Sequence, residues 1–154
     1  MDYEINSETL LISAISDSKS KVLESKSVTY DIDSSVFQVI EHSCEYFGSS
    51  YEGRKEGTKK ILGITHKAPI IIEESRQIIF FPTSSPDNNN CVWINLEKIE
   101  KYFKTDKRKS AIEFKDGTIL EFNVSYGSLT NQIMRATRLK YILNERLIKK
   151  EDNI

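Results

Sequence analysis

The residues of this chain best suited to chemistry lie in one stretch, FGSSYEGRKEGTKK, from Phe47 to Lys60. Gly48 is followed, after four residues, by Gly53 and a basic residue, which approaches the phosphate-binding pattern G-x-x-x-x-G-K-[ST]. In that pattern the loop joins a buried strand to a helix N-terminus, whose positive end holds the phosphate. Neither condition is met here. Gly48 follows a predicted helix, so a helix C-terminus faces the loop, and Arg54-Lys55 stands where Lys-Ser/Thr would reach the outer phosphates and magnesium. A surface chemistry remains open. Glycines let backbone amides approach a phosphate closely, the hydroxyls of Ser49, Ser50 and Tyr51 donate, and Arg54 and Lys55 neutralise charge. The plainer alternative is a solvated turn or short helix, with Ser49-x-x-Glu52 as a capping box and Glu52 and Glu56 partly cancelling the bases.

Catalytic and metal constellations are thin. His42 and Cys44 are two positions apart on a predicted helix and diverge. Together with His66 and Cys91 they make four potential zinc ligands, but none has C-x-x-C or H-x-x-x-H spacing. The carboxylates of Glu73-Glu74 and Asp31-x-Asp33 sit in turns or at a helix start, where solubility and the helix dipole explain them. No catalytic residue, cofactor or metal is therefore expected, and the chain does not read as an enzyme. Helix–turn–helix, zinc-finger and basic-zipper patterns are also absent.

The 154 residues fit one domain, large enough to bury an ordinary core without staples. The first ten residues are acidic and mixed, and no apolar run approaches about 18 residues, so neither a signal peptide nor a membrane span is expected. Cys44 and Cys91 then read as free thiols in the cytoplasm. The net charge of −1 excludes a simple polycation that coats nucleic acid. Yet the charge is segregated. Residues 1–47 carry nine acids and three bases, residues 48–67 five bases and two acids, and residues 101–109 five bases and one acid. A basic face forms only if the last two segments meet in space.

The elements that must position these residues follow from periodicity. The N-terminal third, LLISAISDSKSKVLESKSVTYDI, is strand-like with serine-rich breaks. SSVFQVIEHSCEYFG reads as a helix with Val36, Ile40, Cys44 and Phe47 on one face, capped by Ser34 or Ser35 and stopped by Gly48. Ile70–Ile72 and Ile78–Phe81 read as short strands, and SSPDNNN (Ser84 to Asn90) as a loop; Trp93 is assigned to the core. KYFKTDKRKS reads as a charged lead-in to a hairpin, SAIEFKDGTILEFNV. In that hairpin a three-residue loop, Lys115-Asp116-Gly117, sets Ile112 opposite Leu120 and keeps the apolar residues on one face. A long helix follows, with Leu129, Ile133, Ala136, Leu139, Leu143 and Leu147 as its stripe and Ser128 as its cap. The fold class is α+β, a mainly antiparallel sheet with one helix after the N-terminal strands and a long C-terminal helix.

Four separated strings now bear on function. SCEYFGSSYEGRKEGT (Ser43 to Thr58), ITHKAPI (Ile64 to Ile70), IIFFPTSS (Ile78 to Ser85) and VWI around Trp93 follow in an order and spacing that resembles the ComK family of competence transcription factors of Gram-positive bacteria. The similarity extends through VSYGSLTNQ, Val124 to Gln132. The resemblance implies a cytoplasmic activator of DNA-uptake genes that binds AT-rich promoter boxes in double-stranded DNA, through the minor groove, as a homo-oligomer (dimer or tetramer). From their positions in or beside these motifs and from charge, Ser49, Ser50, Tyr51, Arg54, Lys55, Lys59, Lys60 and Lys67 are the expected DNA-binding residues, with Arg54 and Lys55 in contact and Lys59, Lys60 and Lys67 supporting. Family members also carry an aromatic, proline-containing tail read by an adaptor of the Clp protease. This chain ends at KKEDNI without that segment, so regulated degradation by that route is not expected. The alternative is an interaction protein without DNA affinity, a short paralogue that titrates a full-length relative or the adaptor, with the acidic 1–47 region and the closing helix as working surfaces.

Overall fold

The computed structural model describes residues 2–152, among which nine β-strands and three α-helices form. Strands β1 (Thr9–Ser16), β2 (Lys19–Glu24) and β3 (Val28–Ile32) make an antiparallel meander, with Val22 opposite both Ile12 and Tyr30. Helices α1 (Val36–Tyr46) and α2 (Tyr51–Leu62) follow, then strands β4 (Ile70–Glu73), β5 (Ile78–Pro82) and β6 (Trp93–Asn95). These six strands form one sheet in the order β3-β2-β1-β6-β5-β4, with every neighbouring pair antiparallel. A second sheet has the order β7 (Ile99–Asp106), β8 (Lys109–Phe114), β9 (Ile119–Phe122), and α3 (Tyr126–Asp152) closes the chain.

The β4–β6 half of the large sheet is covered on both faces, which explains the unbroken apolar runs IIIE and IIFFP, whereas β2 and β3 keep exposed residues. Side chains alternate across a strand, so Ile70, Ile72, Ile78, Phe80 and Trp93 pack with Ile40 and Cys44 of α1 and Tyr51 of α2. Their neighbours Ile71, Ile79, Phe81 and Ile94 pack on the other face with Ile112 and Phe114 of β8 and Leu129, Ala136 and Leu139 of α3. A strand covered on one side only would show polar residues at every second position. Here neither side is available to water.

Local chemistry sets the element ends. Ser35 caps α1 in a reciprocal box: its Oγ accepts from Gln38 N at 3.1 Å, and Gln38 Oε1 accepts from Ser35 N at 2.9 Å. Ser35→Ala is expected to lower stability by about 1 kcal/mol, seen as a thermal midpoint lower by roughly 2–4 °C. Gly48, at φ +84°, ends α1 as anticipated. The β8–β9 hairpin also has the expected register, with Ile112 opposite Leu120, Phe114 N donating to Thr118 O at 2.8 Å, and Gly117 at φ +95°.

Several boundaries differ from the expectation, each for a physical reason. The buried face of α1 is Val39, Ile40, Ser43 and Cys44, while Phe47 lies beyond the helix and is 38% exposed. Of the two forms expected for the glycine-rich stretch, a turn or a short helix, the helix forms and runs over Tyr51–Leu62, because Tyr51, Thr58 and Leu62 are buried and packing overrides the propensity loss of Gly53 and Gly57. Lys101–Asp106 is not a lead-in but part of β7, an eight-residue strand. Ser125, not Ser128, caps α3: its Oγ accepts from Ser128 N at 3.1 Å. Leu147, assigned to the α3 stripe, is 58% exposed.

Candidate functional site

The connection between α1 and α2 is only a few residues long. Gly48 N donates to Glu45 O at 2.9 Å and Ser49 N to Cys44 O at 3.0 Å, closing the end of α1. Ser50 then caps α2, accepting from Gly53 N at 3.0 Å, so the capping serine is one position later than Ser49. That hydroxyl and the Gly53 amide therefore satisfy each other. A Cβ on Gly53 would meet Ser50 Oγ at 3.0 Å, which accounts for a glycine inside the first turn.

Helical spacing divides the basic residues of α2 into two sets. Arg54 turns toward the β4–β5 turn, where its Nη1 lies 2.6 Å from Glu74 Oε1 and its side chain is only 16% exposed. It is not the freely exposed cation that its sequence neighbourhood suggested. Tyr51, Lys55 and Lys59 fall at four-residue intervals and line one wall of an open cleft of about 530 Å³. Thr65, His66 and Lys67 form a second wall, and Asp87 of the loop after β5 also lines the cleft. Lys60 is exposed on α2 but does not line the cleft, and Ser49 and Ser50 lie at the helix start outside it.

The cleft lysines are held loosely and its framework tightly. Lys55 Nζ is 3.1 Å from Glu52 Oε1 and 5.6 Å from the centre of the Tyr51 ring; Lys59 Nζ is 3.7 Å from Glu56 Oε1. Both carboxylates are mostly exposed, so the pairs contribute about 0–1 kcal/mol and an incoming anion can replace them. Tyr51 is buried, with its ring edge-on to Phe37 and Trp93 at 5.0 and 6.4 Å. Burial pushes its hydroxyl up to about 12, so it stays a neutral donor. Burial likewise pushes the Cys44 thiol up to about 11, which leaves it inert.

Lys67 has φ +54°, an uncommon backbone for a lysine, and α3 holds it there. Gln132 is completely buried and its Nε2 donates to the carbonyls of Lys67 and Pro82 at 2.9 and 2.8 Å. Arg135 Nη1 donates to the His66 carbonyl at 2.8 Å and to Gln132 Oε1 at 3.2 Å. Sequence reasoning missed both residues. Gln132 did leave a signal, since it sits between Leu129 and Ala136 at core spacing, where a polar side chain demands partners. The second basic segment, residues 101–109, does not line the cleft.

Among the described residues no cluster of three or more histidine, cysteine or acidic side chains could hold a metal ion, and no helix is long and apolar enough to cross a membrane. A family model described as ComK protein matches residues 1–148. The chain is 34% identical over 148 residues to the competence transcription factor of Bacillus subtilis (strain 168), an alignment covering 94% of this chain and 77% of that protein. No solved structure is significantly similar.

Proposed function

The chain belongs to the ComK family, and from that premise we propose that it is a cytoplasmic transcriptional regulator of competence genes that binds double-stranded DNA at AT-rich promoter boxes. One observation supports the DNA reading above the others. Residues of two neighbouring motif segments, 43–58 and 64–70, line one cleft together with the end of a third, 78–85, that comes from beyond two strands. Lys55 and Lys67 of these segments line it together with Lys59, one turn further along α2. Three lysines around a groove with one aspartate suit a polyanion, and the pairing of Lys55 and Lys59 to exposed carboxylates makes their exchange for phosphate nearly neutral. A-tracts narrow the minor groove and deepen its negative potential, which draws in lysine and arginine. A protomer with few such contacts binds weakly alone, so action as a dimer or tetramer on repeated boxes fits a chain of nearly zero net charge. Lys60 supports from the exposed side of α2, and Ser49, Ser50 and Tyr51 supply neutral donors around the helix start. Arg54 acts through α2's position rather than by direct contact.

The test is fluorescence anisotropy with a labelled duplex bearing spaced A-tract and T-tract boxes, against a base-shuffled duplex, at two salt concentrations. Preferred and salt-sensitive binding to the spaced boxes is expected. Equal and negligible binding to both duplexes would move the function to regulatory protein–protein interaction. That second reading has its own observation, an apolar groove between β4–β5 and α3 lined by Ile71, Ile79, Leu143 and Leu147. Arg54 yields a separate expectation. Arg54→Ala should lower stability by about 1 kcal/mol through lost packing and the lost Glu74 pair, while weakening DNA binding less than Lys55→Gln does. Paired melting and anisotropy measurements on the two variants check this.

A further inference from the structure

The β7–β8 hairpin carries the most concentrated positive charge outside the cleft. Lys101, Lys104, Lys107, Arg108 and Lys109 are all exposed, and Asp106 is the only acid between them. Their electrostatic state differs from that of the cleft lysines Lys55 and Lys59. Among the described residues only Lys109 of these five has a carboxylate within 4 Å, Glu121 at 3.7 Å. By contrast, Lys19, Arg54, Lys55, Lys59 and Lys140 each sit beside an acid. A cation with no internal partner loses nothing of the fold when it meets a phosphate.

Turn chemistry does not explain the choice of residues. β7 ends at Asp106 and β8 starts at Lys109, with those two residues paired, so Lys107-Arg108 is a two-residue loop. Such loops favour Asn-Gly or a glycine with positive φ, yet neither Lys107 nor Arg108 has positive φ. The β8–β9 turn in the same sheet does use Asp116-Gly117. Edge protection does not explain the loop either. Lysines on an outer strand discourage edge-to-edge pairing, which accounts for Lys101 and Lys104 on β7 but not for two more cations beyond its end.

The hairpin is also within reach of the cleft. Tyr102 of β7 stacks on Tyr126 at the start of α3, with ring centroids 5.4 Å apart. Gln132 and Arg135 of the same helix hold the backbone of Lys67 and His66, so the two points on α3 are about 9–14 Å apart at 1.5 Å per residue. From Tyr102 to Lys107 a strand adds about 17 Å. With the stacked rings and the Gln132 and Arg135 side chains joining these pieces, the loop lies within roughly 50 Å of the cleft, on the order of one to one and a half turns of B-form DNA.

We propose that the β7–β8 hairpin is a second nucleic-acid-binding element, an arm whose loop contacts duplex phosphates while the cleft lysines engage the same DNA. This inference rests on the reading of the chain as a DNA binder. The phosphates it contacts are read without regard to base, so the arm adds affinity and salt sensitivity and leaves the box preference to the cleft.

The test compares the full chain with a Lys104→Ala, Lys107→Ala, Arg108→Ala variant on the spaced-box duplex, with binding followed across a salt series. Circular dichroism melting should match the unaltered chain, because all three side chains are exposed. The variant is expected to bind roughly tenfold or more weakly at low salt, with a log–log salt slope shallower by about 2–3 and an unchanged preference over the shuffled duplex. A Lys107→Arg, Arg108→Lys variant should bind like the unaltered chain. Equal affinity and slope for the alanine variant and the unaltered chain would overturn the arm and leave the DNA reading standing. No binding of the unaltered chain to either duplex would overturn both. Loss of binding to phosphatidylserine vesicles, with DNA binding intact, would overturn the arm in favour of a membrane surface.

Discussion

Replacing Lys55, Lys59 and Lys67 together with glutamine is expected to weaken binding to the spaced-box duplex by about a hundredfold and to flatten its salt slope by about 3. Glutamine keeps the side-chain length and the helix propensity of α2, so the change removes charge with little else. It also spares Lys67 a smaller side chain at its left-handed backbone. The folded state should scarcely notice, because Glu52 and Glu56 are exposed and their lost pairs were each worth about 0–1 kcal/mol. Anisotropy titrations at several salt concentrations, with melting as the control, decide the matter. An unchanged affinity in a folded variant would remove the cleft from the interface and leave the hairpin arm as the remaining candidate.

Gln132→Leu should have the largest effect on stability among the substitutions considered. The glutamine is fully buried and donates to two backbone carbonyls from different segments, Lys67 and Pro82. Leucine fills the space but supplies no donor, so both carbonyls face an apolar neighbour and Arg135 loses one acceptor. Leaving buried polar groups unsatisfied costs about 1–3 kcal/mol each, and relaxation of the exposed segment 64–67 should limit the total to about 2–4 kcal/mol. For a chain of this length that corresponds to a thermal midpoint lower by roughly 5–15 °C. DNA binding measured well below that midpoint should also weaken, since Lys67 loses the anchor for its strained backbone. A midpoint within 2 °C of the unaltered chain, by the same scaling, would show that Gln132 does not hold the cleft wall.

How much of this was legible beforehand depended on whether local rules and packing agreed. The β8–β9 hairpin could be read in register because Asp116-Gly117 and the apolar set Ile112, Phe114, Leu120 and Phe122 point to the same pairing. Strands β4 and β5 were legible because a run such as IIFF has no polar side to leave in doubt. The helix α2 was obscured by Gly53 and Gly57, which argue locally for a turn; only its contact with Trp93 and the sheet reverses that. β7 was hidden by its exposure, since an outer strand rich in lysine has little of the alternation that marks strands. The site divides in the same way. Charge alone grouped Arg54 with Lys55, but helical geometry sends one to Glu74 and the other to the cleft. The residues that hold the cleft wall, Gln132 and Arg135, come from more than 60 positions away, a juxtaposition that no local pattern encodes.

The sheet order has a consequence for how the chain reaches this state. β1 completes its pairing with β6, where Leu11 meets Ile94 and Ile12 meets Trp93, and Asn95 Nδ2 donates to the Thr9 carbonyl at 2.9 Å. That partner is made some 80 residues later. At translation speeds of about 5–20 residues per second, β1 waits roughly 4–16 s for this partner. During that time Leu11 and Ile12 present an unpaired apolar edge, and Tyr51 on the lysine-bearing helix has no Trp93 to rest on. Pairings this distant in sequence slow folding. Synthesis of the short strand Trp93–Asn95 is thus the event that joins the two halves of the sheet.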